Sequence, residues 1–509
     1  MNLFIRFDGQ GRAARRGFLR RALRDGLLAL TCGTCWIASG ENAAPETTGP
    51  PRPIALHPDN PRYFLWRGKP AILITSGEHY GSLCNAKFDY GRYFQTLAKD
   101  GLNHTRTFSG IYRETAASFG ITANTLAPAA DAYLAPWARS SVPGANDGGN
   151  KFDLAVWDER YFRRLDDYMQ QASDHGIVVE FTLFCPLYED DLWRISPLNG
   201  ANNVNDVGHG DKSEALSLKH DRLLAVQLAA VRKLTTALQR FDNVILEICN
   251  EPYARDVPDA WERRIIDEIV ATERSLPSRH LISQNVANKT KRIVDPHPAT
   301  AVFNFHYCAP PDAVRDNDHL DRPIGENETG FRGKEDVLYR TEGWDFILAG
   351  GAIYNNLDYS FTVDRPAGDF RQYQSPGGGS PELRTQLGIL KRFIESFDFT
   401  SMRPDDETVQ SVSADLVART LSEPSKAYAV YLHARLPFKP DDPQQFEQIE
   451  RVEPITLRLP PGAYQVDWLN PRTGAIDHSE SFSHSGGTRE LETPPFAADV
   501  ALKLLRTGD

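Results

Sequence analysis

Two glutamates stand at the tips of apolar runs in this 509-residue sequence, in settings suited to proton transfer and nucleophilic attack. In Val244-Ile-Leu-Glu-Ile-Cys-Asn-Glu-Pro-Tyr253 a strand-like stretch stops abruptly at Asn250-Glu251-Pro252, which delivers a carboxyl to its end. Alternation along a strand puts Glu247, Cys249 and Glu251 on one side, with Glu251 nearest the following loop. Glu247 lies deeper and reads as a buried carboxylate satisfied by hydrogen bonds. A second run, Arg322-Pro-Ile-Gly-Glu-Asn-Glu-Thr-Gly330, ends in two candidates that alternation places on one face. Glu328 is preferred to Glu326 because it is nearer the end and Thr329-Gly330 exposes it. Two carboxyls about 5 Å apart can carry out double displacement at a sugar's anomeric carbon, one attacking while the other protonates the departing oxygen.

Such a pair needs a scaffold that brings distant segments to one face. Strand-like apolar runs occur at 71–75, 103–108, 177–184, 244–249, 280–285, 301–306, 323–328 and 352–359. Between them lie stretches such as 89–99, 158–172, 223–240 and 260–276, where apolar residues recur at three- and four-residue steps. This alternation predicts an α/β fold, a closed parallel (β/α)8 TIM barrel over residues 51–402. No Gly-x-Gly-x-x-Gly turn follows the first strand to favour an open dinucleotide-binding sheet. In a barrel the fourth and seventh strands face each other across the mouth, so Glu251 and Glu328 meet over one cleft. The longest connections, 110–156 and 185–216, leave strand C-terminal ends, where they would build its walls. Residues 63–70 read as a short hairpin with Gly68 at its turn. Beyond Phe399 short alternating runs at 428–433, 455–459, 464–469 and 500–505 predict a small C-terminal β-sandwich over 403–509, with an accessory, stabilising role.

The first 44 residues read as a removable address. Arg15-Arg16-Gly17-Phe18-Leu19 has the twin-arginine form, and the apolar run that follows is shorter than the roughly 20 residues of a membrane span. Export to the periplasm or the exterior is the expectation, and Cys32 leaves lipid anchoring open. A formal net charge of −11 with scattered basic residues excludes a nucleic-acid backbone as partner and suits an uncharged one. Cys32 and Cys35 fall in the leader. Cys84, Cys185, Cys249 and Cys308 are too widely spaced for a zinc ribbon and read as buried packing residues. Neither a phosphate loop nor clustered metal ligands appear, so no cofactor or metal is expected.

These residues resemble the clan A glycoside hydrolases of cellulase and mannanase type, over about residues 54–400. Asn250-Glu251-Pro252 is similar to the clan's acid/base motif on the fourth strand, and Glu328-Thr-Gly330 to its Glu-x-Gly nucleophile motif on the seventh. The resemblance implies that Arg106, in Asn103-His-Thr-Arg-Thr-Phe108, steadies the nucleophile carboxylate. It implies likewise that Tyr307 of His306-Tyr307 reaches that carboxylate through its hydroxyl, and that Asn250 binds the hydroxyl next to the anomeric carbon. Arg106 would then keep Glu328 ionised, while Glu251, with fewer cations beside it, would stay protonated near neutrality. The eighth strand, Ala352-Ile-Tyr-Asn-Asn-Leu-Asp-Tyr-Ser360, lacks the tryptophan platform of many clan members and leaves Tyr354 or Tyr359 for that place. The third strand ends without the histidine common in the cellulase branch.

At the end of the first strand, Ser76-Gly-Glu-His-Tyr80 offers Glu78 and His79, with Tyr80 beside them, as ligands of sugar hydroxyls, and Glu78 as the reserve acid. Trp137, Tyr188, Trp193 and Tyr253 are candidates for stacking on a sugar face. The expectation is a retaining hydrolase of a β-linked glycoside, with an oligosaccharide or polysaccharide as partner and no stable membrane span. Kept beside it are a non-catalytic carbohydrate-binding barrel and an exported cofactor-dependent oxidoreductase.

Overall fold

The computed structural model describes residues 52–508, and the expected leader with Cys32 and Cys35 lies outside them. Eight parallel strands form one sheet: β1 Leu73–Gly77, β2 His104–Phe108, β3 Val178–Phe184, β4 Val244–Cys249, β5 Leu281–Asn288, β6 Thr300–His306, β7 Ile324–Thr329 and β8 Ile353–Leu357. Their order, β1-β8-β7-β6-β5-β4-β3-β2, brings β1 and β2 together at the seam of a nearly closed barrel. That seam has no regular ladder. Asn103 staples it: its backbone N donates to Ile74 O (3.3 Å), its Oδ1 accepts from Ile74 N (3.0 Å) and its Nδ2 donates to Ile72 O (2.8 Å). Every residue of β1, β2, β3, β4, β7 and β8 is buried, as parallel strands covered on both faces require, including the polar side chains of β2 and β7.

The long helices outside are α1 Tyr90–Lys99, α2 Glu159–Asp174, α3 Asp221–Leu238, α4 Asp259–Glu273, α5 Asp336–Leu348 and α6 Pro381–Glu395. In α2 the apolar positions Tyr161, Leu165, Tyr168, Met169 and Ala172 make the buried stripe, and the Asp158 carboxylate caps the first turn by accepting from Arg160 N. Such a cap stabilises a helix by about 1 kcal/mol. Strict alternation fails on one side: no helix follows β5, and only the short Asp312–Asp316 follows β6. Pro296 and Pro298 explain the first gap, since neither can donate within a helix. Before the barrel, Phe64–Trp66 and Lys69–Ala71 pair as the expected hairpin. Arg67 (φ 50°) and Gly68 (φ 76°) both take left-handed backbone, the geometry of a two-residue turn between twisted strands. Arg67 Nε donates to Asp242 Oδ2 (2.7 Å) just ahead of β4, which pins the hairpin to the end of the barrel away from the mouth.

After α6 the chain forms a six-stranded and a three-stranded antiparallel sheet. A core including Tyr464, Trp468, Ile455, Leu457 and Leu502 lies in this region. The larger sheet packs on α5. Trp344 stacks on Tyr431 with ring centroids 5.1 Å apart, and buried Arg340 donates to Asp499 (2.9 Å) and Glu447 (2.9 Å). Because α5 leads from β7, this sheet buttresses the strand that carries Glu328. No helix among the described residues is long and apolar enough to cross a membrane.

Candidate active site

A cavity enclosing about 460 Å³, mouth included, opens at the C-terminal ends of the strands and contains both carboxyls. β4 ends at Cys249, and Glu251 takes φ 37° and ψ 51°, a left-handed conformation costing a non-glycine residue roughly 1–3 kcal/mol. A hydrogen bond from its backbone N to Asn285 Oδ1 (3.0 Å) holds it there. Adjacent Asn250 and Glu251 therefore both line the cavity.

β7 reaches the cavity by a different irregularity. Its register against β6 and against β8 shifts beyond Glu326. The shift turns Asn327 into the barrel, where Nδ2 donates to Glu247 (2.9 Å) and Glu180 (3.0 Å). Glu326 accepts from Cys308 N (2.6 Å) and faces Glu342 of α5, which helps to raise its pKa. The expectation that Glu326 and Glu328 share a face is thus corrected, because a bulge breaks the two-residue period. Glu328 is the one that lines the cavity, 7% exposed.

Three donors converge on Glu328. Tyr80 OH (2.8 Å) and Arg106 Nη1 (3.1 Å) reach Oε2, and Tyr307 OH (2.7 Å) reaches Oε1. Arg106 is fixed from below, its Nε donating to Glu247 Oε2 (2.8 Å) and its Nη2 to Asn250 Oδ1 (2.7 Å). Glu247 also accepts from Thr182 Oγ1 (2.5 Å), so it is the hydrogen-bonded interior carboxylate that its depth suggested.

Glu251 has its own partners: His306 Nδ1 (2.9 Å) and Tyr253 OH (3.3 Å) at Oε1, and Tyr188 OH (2.9 Å) at Oε2. One carboxylate oxygen of Glu251, one of Glu328 and a ring nitrogen of His306 all lie within 4.8 Å of one another. Burial pushes the Glu251 carboxyl up, but the hydrogen bond and charge of His306, helped by Tyr188 and Arg106, pull it below the usual carboxylate range. Burial pushes His306 down, and the carboxylates of Glu328 and Glu251 more than reverse this. His306 is thus the neighbour that most favours the ionised form of Glu251, a contact the sequence reading did not include. His306 Nε2 meets a donor, Asn285 Nδ2 (2.7 Å), and an acceptor, Asn327 Oδ1 (3.1 Å), so either state of the ring is satisfied. Glu251, His306 and Glu328 also have the reach to hold a cation, but one bound there would displace the imidazole proton and lie beside the Arg106 guanidinium.

Of the other predicted residues, His79, Tyr80, Tyr307 and Tyr359 line the cavity. Tyr354 instead donates to Tyr339 O (2.8 Å) in the helix layer, which leaves Tyr359 as the aromatic beside the site. Tyr253 stands at the rim, its hydroxyl also donating to Asn288 Oδ1 (2.7 Å). Glu78 is corrected: fully buried and outside the cavity lining, it accepts from Ser82 N (2.8 Å), Gly81 N (3.1 Å) and Thr125 Oγ1 (2.6 Å), and so organises a turn. Trp193, on Asp190–Ile195, packs half-buried against the core and does not line the cavity. Trp137 is buried beside Trp157 with ring centroids 6.5 Å apart. Cys84, Cys185, Cys249 and Cys308 are buried and free. The sequence reading missed Glu114, which lines the cavity from the connection after β2, and it took Tyr188 for a stacking residue where the hydroxyl is what matters. No local signal marks Glu114, since it lies in irregular chain and meets its partners only through the fold.

No protein-family model and no curated protein sequence matches the chain. Solved structures do. One from Bacteroides vulgatus, provisionally named a glycoside hydrolase, has a TM-score of 0.60 at 14% identity, covering 91% of this chain and 84% of its own. A structure named simply glycoside hydrolase has a TM-score of 0.59 at 11% identity, over 90% and 97%. A family 5 glycoside hydrolase from Bacteroides vulgatus also scores 0.59 at 11% identity, over 89% and 93%. Together with the nearly closed eight-stranded parallel barrel, these likenesses show that the chain has the fold of clan A glycoside hydrolases.

Proposed function

We propose that the chain is a retaining glycoside hydrolase of β-linked saccharides, with Glu328 as nucleophile and Glu251 as general acid/base. The observation that carries this reading is one pair of carboxylates with oxygens within 4.8 Å and unequal surroundings. Enzymes that work by double displacement hold their carboxyls about 5 Å apart. Glu328 accepts from a guanidinium and two phenols and stays available to attack. Glu251 stands against an imidazole that can supply and recover a proton. The glycoside hydrolase names of the three structures above support the same chemistry.

In the first step a Glu328 oxygen bonds to the anomeric carbon as the bond to the departing oxygen breaks, and Glu251 protonates that oxygen. The proton comes from His306 Nδ1 across 2.9 Å. In the second step Glu251 takes a proton from water as the water oxygen attacks the same carbon and Glu328 is released. The Glu251 and His306 pair thus loses one proton and regains it in each cycle, and two displacements restore the starting configuration. Asn250, its Oδ1 committed to Arg106 and its Nδ2 donating to Tyr188 OH (2.8 Å), lines the cavity where a substrate hydroxyl next to the reacting carbon would compete for that amide donor. The twin-arginine form of residues 15–19 supports export of the folded chain, and the packing of the C-terminal sheet on α5 supports a stabilising role for that region.

The test is a panel of aryl β-glycosides with wild type, Glu251→Ala and Glu328→Gly. Turnover by wild type, its loss in both variants, and rescue of Glu328→Gly by azide with a glycosyl azide of inverted configuration are expected. Equal background rates from wild type and Glu251→Ala would leave a sugar-binding barrel, and azide rescue at Glu326→Gly would move the nucleophile.

A further inference from the structure

The cavity leans to one side of the barrel mouth. Most of its lining comes from the chain at and after β8, β1, β2 and β3, less comes from β4, β6 and β7, and among the described residues none comes from β5. An acid must meet the departing oxygen, so the departing part of a substrate lies on the Glu251 side. The sugar that is attacked lies beyond Glu328, over β8, β1 and β2. That end is blind. Thr122 N donates to Gln374 O (2.9 Å) and Gln374 N donates to Thr122 Oγ1 (2.9 Å), which ties the connection after β2 to the connection after β8. Ile121 on one side of this bridge and Pro376 on the other both line the cavity, with Phe119 beside them.

A polar cluster waits inside the closed end. Glu114 is 4% exposed, and its Oε2 accepts from Asn124 Nδ2 (2.5 Å) and lies 3.1 Å from His79 Nε2. The His79 ring is held between Tyr80 and Tyr359, with centroid distances of 5.5 and 5.6 Å. Its other nitrogen, Nδ1, is buried and has no hydrogen-bond partner. A buried polar atom without a partner costs about 1–3 kcal/mol, so a cavity-lining ring left in this condition points to a ligand that completes it. A sugar at the end of a chain has free hydroxyls on the carbons far from the reacting one, whereas an internal sugar carries its next neighbour there.

We propose that the chain is exo-acting, removing single sugars from the non-reducing end of a β-linked saccharide, with His79 and Glu114 binding the distal hydroxyls of the terminal sugar. This rests on the glycoside hydrolase reading and names the substrate class of the same site. The bridge between Thr122 and Gln374 stops a longer chain from threading past the attacked sugar.

The experiment uses the full chain with para-nitrophenyl β-glucoside, β-mannoside, β-galactoside and β-xyloside, and with β-linked oligosaccharides carrying a fluorophore at the reducing end. Aryl monoglycoside turnover is expected, with labelled oligosaccharides shortened one unit at a time, free monosaccharide as the only early product and polysaccharide viscosity unchanged. Early internal fragments and a prompt fall in viscosity would overturn exo action and leave the glycosidase reading standing. Absence of hydrolysis from every probe would overturn both. For the best aryl glycoside, Glu114→Gln should lower kcat/KM by about ten- to a hundredfold, as expected for loss of a hydrogen bond to a charged group. Deleting the distal hydroxyl from the substrate should then cost wild type much more than it costs Glu114→Gln. Equal penalties in the two proteins would show that Glu114 only supports the loop and would remove it from the proposal.

Discussion

Glu326→Gln separates a buried structural carboxyl from a catalytic one. In the wild type, Glu326 Oε1 accepts from Cys308 N (2.6 Å), while Glu326 Oε2 and Glu342 Oε1 are both buried without a donor. Burial and the neighbouring Glu342 carboxylate raise the Glu326 pKa well above its ordinary value, which favours its neutral form. The sign of the linkage follows. A group with a raised folded-state pKa contributes its full stability below the unfolded pKa, near 4.5, and loses it as pH rises toward the folded pKa. Over that window the wild type loses about 1.4 kcal/mol per pH unit from this one carboxyl. Gln keeps the hydrogen bond from Cys308 N, offers an amide donor toward the buried Glu342 carboxylate, and has no proton to lose. Urea unfolding of both proteins between pH 4 and pH 7 should show near-equal stability at the acid end and a growing advantage for Glu326→Gln, with an upper slope of about 1.4 kcal/mol per unit. Glycosidase activity should fall less than tenfold. A variant equally or less stable at pH 7, or one with activity reduced a thousandfold, would refute the outward-facing placement of Glu326.

His306→Gln should shift the alkaline fall of kcat toward acid, because Glu251 must then hold the catalytic proton without the imidazole whose pKa is raised; an unchanged alkaline limb would mean that His306 holds no working proton. Arg106→Leu leaves Glu247 and Glu328 without their shared guanidinium and should destabilise the fold by about 3–5 kcal/mol in chemical denaturation, with kcat/KM falling by at least a hundredfold. Arg340→Leu strips the cation from buried Asp499 and should lower stability by a similar amount while KM for an aryl glycoside stays within twofold, as measured by thermal melting and initial rates.

The barrel was legible because its strands are buried on both faces and its outer helices on one, two patterns with different periods. All eight strand runs were found, with β4 placed at the same residues, 244–249. What local pattern does not contain is contact between distant segments. Glu78 sits at a strand end and looks available, but Gly81, Ser82 and Thr125 consume its acceptors once the following chain folds. Glu114 has no regular element to announce it, yet the fold brings it to His79. The neighbour that bears most on the ionisation of Glu251 was missed for the same reason. That neighbour, His306, is 55 residues away in sequence, and the resemblance gave a carboxylate partner only to Tyr307 beside it.

The strand period itself fails at the place where chemistry is concentrated, and besides the bulge in β7 it fails in one repeated way. His79-Tyr80, Asn250-Glu251 and His306-Tyr307 are adjacent pairs, and in each the second residue is left-handed, with φ of 58°, 37° and 56°. An extended continuation would send the two side chains of each pair to opposite faces. The reversal brings both to one site: His79 and Tyr80 line the cavity together, Asn250 and Glu251 do the same, and His306 meets Glu251 while Tyr307 meets Glu328. Each left-handed residue has a backbone hydrogen bond that offsets part of its strain, from Tyr80 N to Glu78 O, Glu251 N to Asn285 Oδ1 and Tyr307 N to Glu328 O. A regular strand end offers the mouth one side chain and hides the next. Three reversed ends supply six, which is how so narrow a rim can surround two carboxylates with separate sets of donors and keep their roles distinct.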